Sequence, residues 1–153
     1  MKKWMYIRMP KQGGKNQRGE YVKGGIHRVG VIAAMKKEEE PDKVYLSASL
    51  CSKKDNFNRE VGKIKALGRL DADPYKKTSK VLVLSVENIN HVNIFDLLYD
   101  LRMDGHIWDD LYIPGQSLVP ACDKNTERLI HMLQSLLQPS DVSTEESELV
   151  ETV

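Results

Sequence analysis

Cysteine is almost missing from this chain of 153 residues. Cys51 and Cys122 lie far apart, and neither sits in a C-x-x-C pair or at a metal-ligand spacing. That argues against a disulfide framework and against the usual zinc sites. One bridge between the two is arithmetically allowed, but Cys51 closes an apolar strand-like run, where a free thiol commonly serves as a small buried hydrophobe. Long apolar runs are missing too, and none approaches membrane-spanning length. The basic start Met1–Lys2–Lys3–Trp4 lacks the apolar stretch of a signal peptide. A cytosolic protein with no membrane partner is expected.

Catalytic signatures are a third absence. There is no GxSxG, no His-x-Glu followed by paired cysteines, and no kinase or nucleotidyl pattern. Triads and acid–base pairs can assemble from distant residues. Even so, the sequence points to a non-catalytic protein without a cofactor or metal. Asp104, His106, Asp109 and Asp110 are cation-binding types, but they lack the calcium-loop pattern and any paired histidine spacing. Trp108 and Ile107 are expected to dock that loop on the core instead.

Positive charge is scarce in the second half. Residues 81–153 hold 3 Lys/Arg against 13 Asp/Glu, whereas residues 1–80 hold 20 against 9, so +11 and −10 sum to the net +1. Such a split points toward nucleic acid, membrane or self-association chemistry. The alternative is that the two halves face and neutralise each other. Residues 139–153 carry five acids and no cations, which leaves about +6 on the remainder.

What is present reads as one α+β domain over residues 1–138, with an acidic, disordered tail over 139–153. The expected fold is a small, mostly antiparallel sheet of about four strands packed with two to three helices. Trp4 to Met9 alternates as a strand, with Met5, Ile7 and Met9 on one face and Trp4, Tyr6 and Arg8 on the other, and Pro10 ends it. His27 to Met35 is apolar almost throughout and should be central. Val44 to Cys51 returns as its antiparallel hairpin partner. Val81 to Val86 gives a fourth, buried strand. Ser52 with Asp55 approximates a capping box for a helix whose Phe57, Val61, Ile64 and Gly68 form the buried stripe. Asn93 caps a second helix with Ile94, Leu97, Leu98 and Leu101 on one face. A third runs from about Asn125 to Gln138, burying Leu129, Met132, Leu133, Leu136 and Leu137.

Two segments carry candidate binding chemistry. On the first helix, Arg59, Gly62, Lys63, Ala66 and Arg69 fall opposite the Phe57–Val61–Ile64 stripe, as a shallow positive track that phosphates can approach. The alternative is a solvated basic face, with Gly62 and Ala66 accepting a neighbouring helix. The segment 11–25, KQGGKNQRGEYVKGG, has a phosphate cradle's composition but fits neither the P-loop nor the dinucleotide fingerprint. It reads as a mobile loop or a long β-connection. If ordered, its Lys15, Arg18 and Lys23 add to the same positive surface, and Tyr21 can stack on a base. Tyr45 is a second stacking candidate. Arg28 stands at the start of the central strand beside His27, which can also line a site; His91 and His131 are scattered.

Cys51, Ser52, Lys54, Asp55, Phe57, Arg59, Gly62, Lys63, Ala66, Gly68 and Arg69 follow the pattern C-S-x-K-D-x-F-x-[RK]-x-x-G-[RK]-x-x-A-x-G-R. An apolar hairpin leading into that pattern resembles small accessory proteins of tailed phages, over roughly residues 27–70. Among these it is faintly similar to the anti-Thoeris sponges, oligomeric proteins that sequester a cyclic ADP-ribose signal without cleaving it. The resemblance implies a non-catalytic, anti-defence nucleotide trap in the host cytosol and a possible homo-oligomer. Residue chemistry alone leaves two other readings open: a DNA- or RNA-binding protein using the same basic half, or a protein-interaction inhibitor of a host enzyme.

Overall fold

The computed structural model describes residues 1–11, 13–15, 18–50, 58–101, 119–138 and 146–148. Its elements are β1 (Lys2–Lys11), β2 (Gly14–Lys15), β3 (Tyr21–Val22), β4 (Gly25–Met35), β5 (Lys43–Leu50), α1 (Arg59–Arg69), β6 (Val81–Ser85), a 3-10 turn (Val86–His91), α2 (Ile94–Asp100), α3 (Val119–Leu137) and β7 (Glu146–Glu148). The main sheet has the order β6-β5-β4-β1-β7, antiparallel except where β7 runs parallel to Lys2–Trp4. Four antiparallel strands with three helices match the α+β class that the sequence implies.

Alternation along the strands splits the core in two. Met5, Ile7, Met9, Ile32, Ala34, Val44, Leu46 and Ala48 point to one face and pack with the 3-10 turn, α2 and α3. Trp4, Tyr6, Val31, Ala33, Met35 and Tyr45 point to the other face and pack with Ala66 of α1 and its C-cap Leu70. Both faces of β4 are thus covered, which is why its run from Val29 to Met35 is buried without interruption. β6, read from sequence as fully buried, is an edge strand and mostly half-buried.

The face of α1 that meets the sheet is not the one its apolar periodicity suggests. Gly62 and Ala66 are buried, whereas Val61 is 46% and Ile64 66% exposed. The large groups between helix and sheet are Trp4, Tyr6 and Tyr45 from the strands, so the helix supplies the small ones. The Ser47 hydroxyl donates to the Ala66 carbonyl and fixes that close approach. The Asn58 side chain caps α1 by accepting the Val61 N–H at 3.1 Å. The Ser52–Asp55 box, Cys51 and Phe57 lie outside the described residues.

Asn93 caps α2 as expected, accepting the Phe95 N–H at 2.9 Å. α3 starts six residues before the expected position. Pro120 falls in its first turn, where a missing N–H costs no helical bond. That places Asn125 inside the helix, fully buried. β7 falls within the segment read as a tail. Among the described residues, no helix is long and apolar enough to cross a membrane.

Candidate functional site

The described residues of the basic segment 11–25 form a β-connection. β1 and β4 stay paired through Pro10–Ile26 and Lys11–Gly25, past the expected stop at Pro10, because proline still fits where no ladder N–H is needed. Beyond them β2 and β3 form a second short ladder, Gly14–Val22 and Lys15–Tyr21. The turn contains Gly19 at φ 78°, a left-handed conformation that glycine adopts without strain. A Cβ at Gly14, Gly19 or Gly25 would have nothing within 4 Å, so this ribbon stands clear of the described molecule. Lys15, Arg18 and Lys23 are exposed on it, and Tyr21 is 76% exposed.

At the foot of the ribbon the β1–β4 register shifts. Ile7 faces Gly30, but Arg8 faces Arg28, so Val29 is an extra residue. In an unbroken β4, Arg28 would share the face of Gly30, Ile32 and Ala34, toward α2 and α3. The bulge turns it to the opposite face, where its guanidinium stacks 4.7 Å from the centre of the Tyr6 ring. Arg8 alternates with Trp4 and Tyr6 on that same face. Two half-buried arginines therefore stand directly across one ladder. Arg128 of α3 reaches the adjoining edge of β1 and donates to the Asn125 side-chain oxygen, which also accepts the Arg8 N–H.

α1 brings two more cations toward this end. Its C-terminal side lies by Lys2, which pairs with Asp71 at 3.3 Å, and Lys63 stacks 4.3 Å over the Trp4 ring. The helix thus runs counter to β1. Arg59, one turn before Lys63, is exposed at the start of the helix. Of the sequence-predicted site residues, Lys15, Arg18, Tyr21 and Arg28 share this end of the molecule, while Lys63 stands further back over Trp4 with Arg59 one turn before it. Arg69 does not share that end. Its guanidinium donates to the Ala48 carbonyl, and burial pushes its pKa below the ordinary arginine value. Tyr45 is buried, with its hydroxyl donating to Glu40, and is unavailable for stacking. His27 is tied to the ribbon through the Lys23 carbonyl at 2.9 Å.

Arg8 and Arg128 were not among the residues that the sequence singled out. Arg8 was visible only as one member of an alternating strand, and Arg128 as a polar position on a helix. The bulge and the early start of α3, which bring them in, leave no periodic signal. The Asp104–Asp110 cluster lies outside the described residues, and no other group of three or more metal-ligating side chains occurs among the described ones. A hollow at the opposite end of the sheet, lined by Pro41, Asp42, Ser85, Val86 and Glu87, carries two carboxylates and is unsuited to an anion.

No protein-family model, curated protein or solved structure matches this chain.

Proposed function

We propose that the chain is a non-catalytic binding protein for a phosphate-bearing partner, held at the bulged end of its sheet. The observation that carries this reading is the cross-strand pair Arg8–Arg28 at the root of a basic ribbon. A β-bulge turns Arg28 onto the face of Arg8, so two guanidinium groups share one face at the root of the ribbon. Arginine forks suit phosphate oxygens, and a guanidinium stacked on Tyr6 is oriented before a ligand arrives. A phage accessory or anti-defence role is a proposal resting on the similarity of roughly residues 27–70 to that group.

The test is binding measured by calorimetry, with inorganic phosphate, a panel of mononucleotides and cyclic nucleotides, and oligonucleotides. Arg28→Ala together with Arg8→Ala should remove binding of whichever phosphate compound binds the parent, with secondary structure unchanged by circular dichroism. Binding that survives in the doubly substituted protein would sink the proposal.

A further inference from the structure

The shape of the basic end says more than its charge. A mononucleotide site is a concavity that encloses most of its ligand. Here the cations follow a line instead: Arg59 and Lys63 along α1, Arg8 and Arg28 at the bulge, then Lys23, Lys15 and Arg18 out along the ribbon. From the Pro10–Ile26 pair to the Lys15–Tyr21 pair is five residues of β3–β4 chain, on the order of 15 Å when extended. A polyanion with phosphates at regular intervals matches such a line; a single nucleotide does not reach along it.

The ribbon is also the right width for one kind of polyanion. Its two strands stand about 5 Å apart, and a two-stranded β-ribbon fits the major groove of B-form DNA, about 12 Å wide. The side chains it shows to solvent include Lys15, Arg18, Lys23, Tyr21 and Ile26, with Glu20 as the one acid among its described residues. Cations in that set can meet the phosphates flanking a groove, and Tyr21 and Ile26 can lie against base edges or methyl groups. Glycines at 14, 19 and 25 with nothing around them keep the ribbon slim. We infer that the phosphate-bearing partner is double-stranded DNA, with the β2–β3 ribbon in its major groove and Arg8 and Arg28 on the adjoining backbone. This inference rests on the phosphate-binding reading above and narrows it to one ligand.

Fluorescence anisotropy with a labelled 20-base-pair DNA duplex tests it, against the same single strand, the matching RNA duplex and ATP. The full chain is compared with a ribbon variant (Lys15→Ala, Arg18→Ala, Lys23→Ala) and with Tyr21→Ala. The duplex should bind the parent with a log–log salt slope near −5 or steeper, as expected for about six phosphate contacts. The ribbon variant should bind at least tenfold more weakly, with a slope shallower by about 3. RNA duplex should bind more weakly, because its major groove is too narrow for the ribbon. Equal or tighter binding of single strand or RNA duplex would overturn groove insertion. Tight ATP binding that the ribbon variant retains, with no duplex binding, would overturn the DNA inference and leave the phosphate reading standing. If duplex, single strand and ATP all fail to bind, both fall.

Discussion

The carboxamide of Asn125 spans the main chain of Arg8, accepting its N–H at 3.0 Å and donating to its C=O at 2.7 Å. A neighbouring strand would use the same two groups in the same way. Beyond Trp4, β1 has no described strand on its outer side, so one helical side chain closes part of that edge. The remaining valences of Asn125 are also used: its amide donates to the Ala121 carbonyl at 2.9 Å, and its oxygen accepts from Arg128. The amide thereby ties α3, the β1 edge and two arginines of the candidate site into one unit.

Asn125→Leu should therefore be costly despite its similar volume. It leaves the N–H and C=O of Arg8 without their partner, at about 1–3 kcal/mol each if both remain dry. Asn125→Asp keeps the acceptor but loses the bonds donated to the Arg8 and Ala121 carbonyls and the contact with the Met9 sulfur, so it should fall between the parent and the leucine variant. Urea denaturation of the three proteins gives that order directly; a leucine variant as stable as the parent would mean that water replaces the amide.

Arg59→Ala and Arg69→Ala should behave oppositely, although the two arginines looked equivalent on the helical wheel. Arg59 is exposed at the first turn of α1, where a cation opposes the helix dipole, so its loss should change stability by less than about 0.5 kcal/mol. Arg69 donates to the Ala48 carbonyl from a half-buried position, and a hydrogen bond of that kind contributes about 1.5–3 kcal/mol. Thermal melts read the contrast: an unchanged midpoint for Arg59→Ala and a clear drop for Arg69→Ala.

Alkaline pH should weaken the hairpin between β4 and β5. The Tyr45 phenol is pushed up to about 12 by its hydrogen bond to Glu40, then by burial and by the Glu40 charge. Its folded value lies above the unfolded value near 10, so its stabilising contribution is complete below pH 10 and is lost as pH rises toward 12. Phenolate absorbance in the parent, minus that of Tyr45→Phe, should show a step near 12. In Glu40→Gln the step should return toward 10.

Most of the fold was legible because its strands and its last two helices obey their periods. Met5–Ile7–Met9 against Trp4–Tyr6, and Leu129–Met132–Leu133–Leu136, are sorted in the structure as alternation and helical spacing sort them. α1 broke the rule because its partner surface is already filled by three aromatic rings. A period finds the large apolar residues, but the contact needed Gly62 and Ala66. The candidate site was half legible. Lys15, Arg18, Tyr21 and Arg28 announce themselves by composition near one ribbon. Arg8 and Arg128 join them only through a bulge and a buried amide, and both are tertiary facts.

Gly30 is where the fold and the proposed site depend on each other most directly. A Cβ there would lie 2.6 Å from the Ser49 carbonyl oxygen, 2.6 Å from Leu50 Cδ2 and 3.3 Å from Ile7 Cδ1. A leucine methyl can move aside, but a carbonyl in the next strand cannot without parting β4 from β5. Gly30→Ala should therefore destabilise by about 1–3 kcal/mol, as overpacking of a filled core does. The strain falls beside Val29, the extra residue that turns Arg28 toward Arg8 and Tyr6. Binding of the DNA duplex should consequently weaken well before the protein unfolds. Ile32→Val supplies the comparison: it costs about 0.5–1.5 kcal/mol in the same strand, away from the bulge. If both variants are measured where they are fully folded, only Gly30→Ala should lose affinity; equal affinities would show that the bulge does not set the geometry of the arginine pair.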